Sequence, residues 1–389
     1  MTGFSQRASS ERGAIFIHVG VGLLVLLMFL GFVADYGMLM VSRNQAQNAA
    51  DAGALAGARA LAFDSYTDIA DRARNVAWNA AIRNPVWGGE PAAVPISPYS
   101  GSPCEAHPDS CIRVEVYRNG SFGSASMSTW FASLFGITTQ GTRASAVAEV
   151  GSANTSDCLK PFAIPDYFTD TGDVGFDPGV DTYTPLGYTL ATHLGQEVMI
   201  RQTDEPRVAP GWFRLLDLLG GGGGGTADLR DVIVSCAADP KGIGDELTPD
   251  AGVKNGIKQA VDALLDLDSN AYYDPLTQTI KESCAEDRSC QGYVWDAESG
   301  SATGPVDDPG RNYSPRILPL AVFDPEIMAN EGRLVVVNLL GFFLLDDYDW
   351  TGPNKYLKGV IVNQPGLFDR TKGGMGQASA FTKVIRLVR

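Results

Sequence analysis

Residues 14–34 read AIFIHVGVGLLVLLMFLGFVA, and residues 35–62 continue as DYGMLMVSRNQAQNAADAGALAGARALA. The first segment holds one strongly polar residue, His18, in a run of 21. About 20 apolar residues span the hydrocarbon core of a bilayer, so this segment has the length of a membrane helix. A cleaved secretory signal would have a shorter apolar region and a small-residue cleavage site, which is not evident after Ala34. A retained anchor is therefore expected over residues 14–40. Arg7 and Arg12 precede the span and only Arg43 follows closely. The positive-inside rule then places residues 1–13 in the cytoplasm and the bulk of the chain outside. His18 sits one turn inside the cytoplasmic end, where a neutral imidazole reaches the interface at small cost.

No helix breaker separates the span from residues 35–62, so one long helix is expected. Its composition switches from Leu and Val to Ala and Gly. Ala46, Ala50, Ala54 and Ala58 recur every four residues, with Gly53 and Gly57 beside them. That spacing puts small side chains on one helix face, where another backbone can approach closely. Two occupants suit the face: a helix of a partner protein, or the chain's own domain.

The order of residues across this helix resembles the N-terminal module of TadE/TadG-like Flp pilus-assembly proteins. The resemblance rests on Arg12-Gly13 before the span, Asp35-Tyr36-Gly37 at its outer edge, Arg43, and the run from Gln47 through Asn48, Asp51 and Gly53 to Ala58. It covers about residues 12–62. It implies a non-catalytic role in tight-adherence (Tad) secretion. The implied partners are inner-membrane lipid and other Tad or pilin proteins through the Ala/Gly face. Prepilin-type substrates carry Glu five residues after a processed glycine; counted from Gly13, that place holds His18. A permanently anchored TadG-type component fits better than a processed TadE-type pseudopilin. Some TadG-type proteins carry a von Willebrand A domain with an Asp-x-Ser-x-Ser metal site, and this sequence has no such pentad.

The formal net charge is −15. Arg7 and Arg12 balance Glu11 and Asp35, so the whole excess lies beyond residue 40. Such a surface repels nucleic acid, and no nucleic-acid partner is expected. The six cysteines, Cys104, Cys111, Cys158, Cys236, Cys284 and Cys290, are even in number and include no C-x-x-C pair. Disulfides are favoured over zinc, which points to the periplasm or cell exterior. The spacing groups Cys104 with Cys111 and Cys284 with Cys290, and leaves the wide Cys158–Cys236 interval, but connectivity stays open.

Beyond the long helix, a break over residues 64–68 precedes a second helix from Ile69 that Asn84-Pro85 ends. Residues 112–117 and 138–150 alternate as strands, and residues 130–135 read as a short buried turn or helix. Helix first and antiparallel strands after it make a pilin-like α+β module over residues 41–150. Residues 151–156 read as a linker. Residues 157–389 then read as a β-rich, disulfide-braced domain. Residues 228–236 form a short amphipathic segment, and residues 253–267 a helix with Ile257, Val261, Leu264 and Leu265 on one face. Residues 317–323, 334–345 and 356–362 are apolar runs bounded by Pro, Gly and Asp, and are expected as core strands of one sheet.

No cofactor or catalytic site is expected. The six glycines at 220–225 lack the Lys-Ser/Thr and strand-to-helix context of a phosphate loop and read as a flexible loop. Asp346, Asp347 and Asp349 lack the glycine and distal glutamate of a calcium loop and read as a solvated turn. His18, His107 and His193 are far apart, and neither a G-x-S-x-G nor an H-E-x-x-H motif occurs. A tethered adhesion module and a tethered periplasmic hydrolase are the alternative functions.

Overall fold

The structure is a computed structural model that describes residues 11–64, 69–172, 175–202, 208–219, 226–250, 256–287, 289–296, 298–308, 313–350, 355–369 and 379–388. Its chain divides into two compact units, residues 1–61 with 68–149 and 386–389, and residues 62–67 with 150–385. The class is α+β: a long apolar N-terminal helix, then antiparallel strands and strand-rich structure with three disulfides.

The first unit is built on α1, Glu11–Phe63, a continuous helix of 53 residues. At 1.5 Å per residue it is about 80 Å long. Its first part, from Ile15 to Val33, is apolar around the helix apart from His18, and its large side chains are exposed. A helix apolar all round must be covered by something apolar, and this is the one helix among the described residues long and apolar enough to cross a membrane. From Ala46 onward one face is fully buried. Helix α2, Ile69–Ile82, lays Ala73, Ala77 and Ala81 on that face. Beneath both, β1, Ala92–Ile96, β2, Cys111–Arg118, and β5, Thr142–Ala153, are successive antiparallel strands of one sheet, with β2 between the other two. Ile112, Val114 and Val116 of β2 are fully buried by the period-two rule. Between β2 and β5 the short strands β3, Met127–Ser128, and β4, Thr139–Gln140, pair as a hairpin. Cys104 is bridged to Cys111, the first residue of β2.

The second unit centres on one sheet whose strands are β6, Phe162–Pro165, β7, Glu197–Gln202, β8, Arg214–Leu215, β9, Glu246–Leu247, β10, Ile317–Phe323, β11, Leu334–Asp349, and β12, Lys355–Val362. The spatial order is β7-β12-β11-β10-β6-β8, with β9 pairing the start of β11. Only β6 and β10 run parallel. The three apolar runs are adjacent strands of one sheet, as the sequence suggests. They read as continuous apolar runs because both faces are covered. On one face Leu318, Leu320, Val322, Phe342 and Ile361 pack with Ile233 of α3, Thr226–Val234, and Ile257, Val261 and Leu264 of α4, Gly256–Leu267. On the other lie Leu159, Ala321, Phe323, Leu334 and Leu339. The Cys158–Cys236 bridge ties the chain ahead of β6 to the chain after α3, across 78 residues. Constraining so long a loop in the unfolded chain stabilises the fold by about 4 kcal/mol.

Three expectations need correction. Residues 151–156 are not a loop, because β5 runs through Ala153 and Thr155–Ser156 pairs with Lys241–Gly242. Asp346, Asp347 and Asp349 stand in the last part of β11 rather than in a turn. Residues 130–135 form a one-turn 3-10 helix, Ala132–Phe135, but it is exposed. The glycines at 220–225 and the first residues of the segment 253–267 lie outside the described residues.

Candidate functional site

The residues singled out on α1 divide between a buried face and an open one. Ala46, Ala50, Ala54 and Ala58 have no exposed surface. A Cβ on Gly53 would stand 3.0 Å from the Ala77 carbonyl and from the Ala81 methyl. A Cβ on Gly57 would stand 2.5 Å from Ile112 Cδ1 and 2.9 Å from the Ala77 methyl. The small residues thus let α2 and β2 approach α1 within its own unit. This corrects the expectation that partner proteins dock on the Ala/Gly face: α2 and β2 already fill it. The spacing identified a close-approach face but carried no information on its occupant.

Of the residues matched to the pilus-assembly module, Gly37, Arg43 and Asn48 are exposed. Asp51 accepts a 2.8 Å hydrogen bond from Gln47 Nε2, which also donates to the Ser145 carbonyl at 3.2 Å. Asp35 does the most. Its carboxylate accepts the backbone N–H groups of Trp130 at 2.8 Å, Phe131 at 3.0 Å and Ala132 at 2.7 Å. Its own carbonyl accepts from Gln140 Nε2 at 3.3 Å. Three charge-assisted bonds fix the tip of the β3–β4 hairpin against the C-terminal end of the apolar run. Phe131 packs on Gly31, where a Cβ would stand 2.1 Å from its ring.

This clamp was not legible in the sequence. The Asp35 partners are backbone amides 95 to 97 residues away, and amides carry no sequence signature. A weaker signal was present: residues 119–142 contain no Asp, Glu, Lys or Arg.

On the other face of β2, Glu115 is nearly buried between Arg113 at 2.5 Å and Arg143 at 2.7 Å, and accepts from the Tyr117 hydroxyl. Burial alone would raise its carboxyl. The Tyr117 bond and the two guanidinium groups outweigh burial and hold it below the usual carboxylate range.

In the second unit the six-cysteine pattern is complete, with Cys284 joined to Cys290 and no free cysteine among the described residues. The Cys284 amide donates to Asp268, which also accepts from the hydroxyls of Ser283 and Ser314. Beside it Arg316, 1% exposed, sends its guanidinium to the carbonyls of Leu344 and Ala271 and to Asp346 at 2.8 Å. Asp347 accepts from the Tyr356 hydroxyl at 3.0 Å and pairs with Lys358 at 3.3 Å. Asp346 and Asp347 are therefore engaged with cations and a hydroxyl of neighbouring residues, and no cluster of potential metal ligands occurs among the described residues. His18 is exposed on the apolar helix. His107 is exposed beside the Cys104 loop, and His193 is buried against Tyr167 and Tyr188.

Residues 13–60 match the sequence family described as Flp pilus-assembly TadE/G-like. No curated protein and no solved structure matches the chain. The matched region is α1 nearly in its entirety, and it includes Asp35 and the whole Ala/Gly face.

Proposed function

We propose that this chain is a non-catalytic, membrane-anchored component of a Tad system that assembles Flp pili, acting through protein contacts outside the cytoplasm. The observation that carries the reading is the family match over residues 13–60, on a helix whose large apolar side chains from Ile15 to Val33 are exposed. In this reading residues 1–13 are cytoplasmic, 14–40 anchor the chain in the inner membrane, 41–150 form a pilin-like module and 157–389 a β-rich periplasmic domain. Three disulfides support an oxidising compartment for everything beyond the anchor. The net charge of −15 suits protein partners and not anionic lipid or nucleic acid. With the Ala/Gly face filled from within, partner contacts fall to other surfaces. The test is deletion of the gene, followed by counting Flp pili by electron microscopy with and without complementation. Loss of pili restored by the full chain is the expected result; unchanged pilus numbers would overturn the reading.

A further inference from the structure

The tip of the β3–β4 hairpin exposes apolar surface that no part of its own unit covers. Trp130 is 80% exposed, Leu134 74%, Phe135 66% and Ile137 57%. Monomeric soluble proteins rarely leave such side chains contiguous and open. This tip is not placed at random. Asp35, which clamps it, follows immediately on the apolar run 14–34, and Phe131 reaches back to Gly31. Gly31 lies four residues before Asp35, about 6 Å along the helix. Within the anchor 14–40, the run 14–34 is about 31 Å long, the thickness of a hydrocarbon core, which leaves residues 35–40 at the membrane–water interface. Phe131 therefore sits beside helix that lies within the hydrocarbon, and the exposed side chains flank the level of its outer edge.

We propose that the tip, residues 130–137, embeds in the outer leaflet of the membrane crossed by α1, as a second, interfacial anchor. The proposal rests on the reading of α1 as a membrane span. Its occupant is lipid, for three reasons. The surface is continuous with the apolar face of the span. Its residues are of the types that gather at the membrane–water boundary, Trp above all. No charge lies anywhere in residues 119–142 to be desolvated.

The backbone is prepared for that environment as well. Irregular backbone enters apolar surroundings only when its polar groups have partners. Here the amides of Trp130, Phe131 and Ala132 go to Asp35, and those of Leu134, Gly136 and Ile137 to carbonyls inside the tip. The Thr129 and Ser133 hydroxyls donate to the carbonyls of Ile137 and Trp130. Asp35 becomes the hinge of the device, a carboxylate at the membrane edge whose charge is met by three amides of the segment it holds. Two attachment points on one rigid module would fix the tilt and rotation of α1, which a single helix leaves free.

The experiment uses the full chain, disulfides intact, in phosphatidylethanolamine–phosphatidylglycerol vesicles. An environment-sensitive fluorophore is attached to a single added cysteine, in Leu134→Cys, Leu24→Cys or Asp109→Cys. Quenching by lipids labelled in the acyl chain is compared between positions. Leu134 and Asp109 are both exposed, so neither change disturbs packing. Positions 24 and 134 are expected to be quenched at least roughly twofold more than position 109. Quenching at 24 with none at 134 would overturn the proposal while leaving the span intact. Loss at both would remove the span, and the proposal with it. In cells, a photo-crosslinker at 134 that captures one discrete protein in place of lipid would also overturn it.

Discussion

Gly57 and Ile112 approach so closely that a methyl group on the glycine would stand 2.5 Å from the isoleucine Cδ1. The same methyl would meet the Ala77 side chain at 2.9 Å and the Ala73 carbonyl at 3.1 Å. One flexible side chain can turn away, but a neighbouring helix backbone cannot without moving the whole packing.

Gly57→Ala is therefore expected to destabilise the first unit although alanine is the better helix former. Overpacking costs about 1–3 kcal/mol, against about 1 kcal/mol gained in helix propensity. Gly57→Val should cost about 3 kcal/mol. Gly37→Ala is the contrast, since nothing lies within 4 Å of its added methyl; it should be neutral or stabilising. Thermal unfolding of the three variants in detergent reads the difference.

Asp35→Ala is expected to release the hairpin tip and leave the sheet in place. The amides of Trp130, Phe131 and Ala132 lose their acceptor, while β2 and β5 keep every ladder bond. Hydrogen–deuterium exchange should rise across residues 129–138 and stay unchanged in β2. Asp35→Asn should give an intermediate result, because an amide oxygen still accepts but without charge. Equal exchange in wild type and Asp35→Ala would show that the clamp does not hold the tip.

Glu115→Gln should cost about 1–2 kcal/mol near neutral pH, by weakening the bonds from Arg113, Arg143 and Tyr117. The folded carboxyl titrates lower than the unfolded one, so the folded state holds fewer protons. Its contribution is present above the unfolded value, about 4.3, and fades as pH falls through the folded value. The gap in stability between wild type and Glu115→Gln should thus narrow progressively as pH falls below about 4.3. A constant gap in denaturant midpoints down to pH 3 would contradict this assignment.

For Arg316 the ion pair and the carbonyl contacts can be separated. Asp346 is 76% exposed, so Asp346→Asn should change stability by less than about 1 kcal/mol. Arg316→Met leaves the buried carbonyls of Leu344 and Ala271 without their donor and should cost about 3 kcal/mol. Arg316→Lys should recover little of it, because a point ammonium cannot reproduce the planar fork. Chemical denaturation of the three variants gives the ranking.

The sequence by itself determined what depends on nearest neighbours and on burial averaged along an element. Residues 14–34 are too long and apolar for anything but a membrane-length helix, and residues 317–323, 334–345 and 356–362 could be satisfied only in a covered sheet. An even number of cysteines without metal spacing pointed to disulfides, and these are what the structure contains. Tertiary structure decided what depends on partners distant in the chain. The Ala/Gly pattern is identical whether a foreign helix or α2 lies on it; the contacts of Gly53 and Gly57 select α2 and β2. Trp130, Leu134 and Phe135 have the composition of a core, and only their place beside the end of a membrane-length helix turns them outward. Asp35 was identifiable as a motif residue, but its role was not, because its ligands are three amides brought to it by the fold.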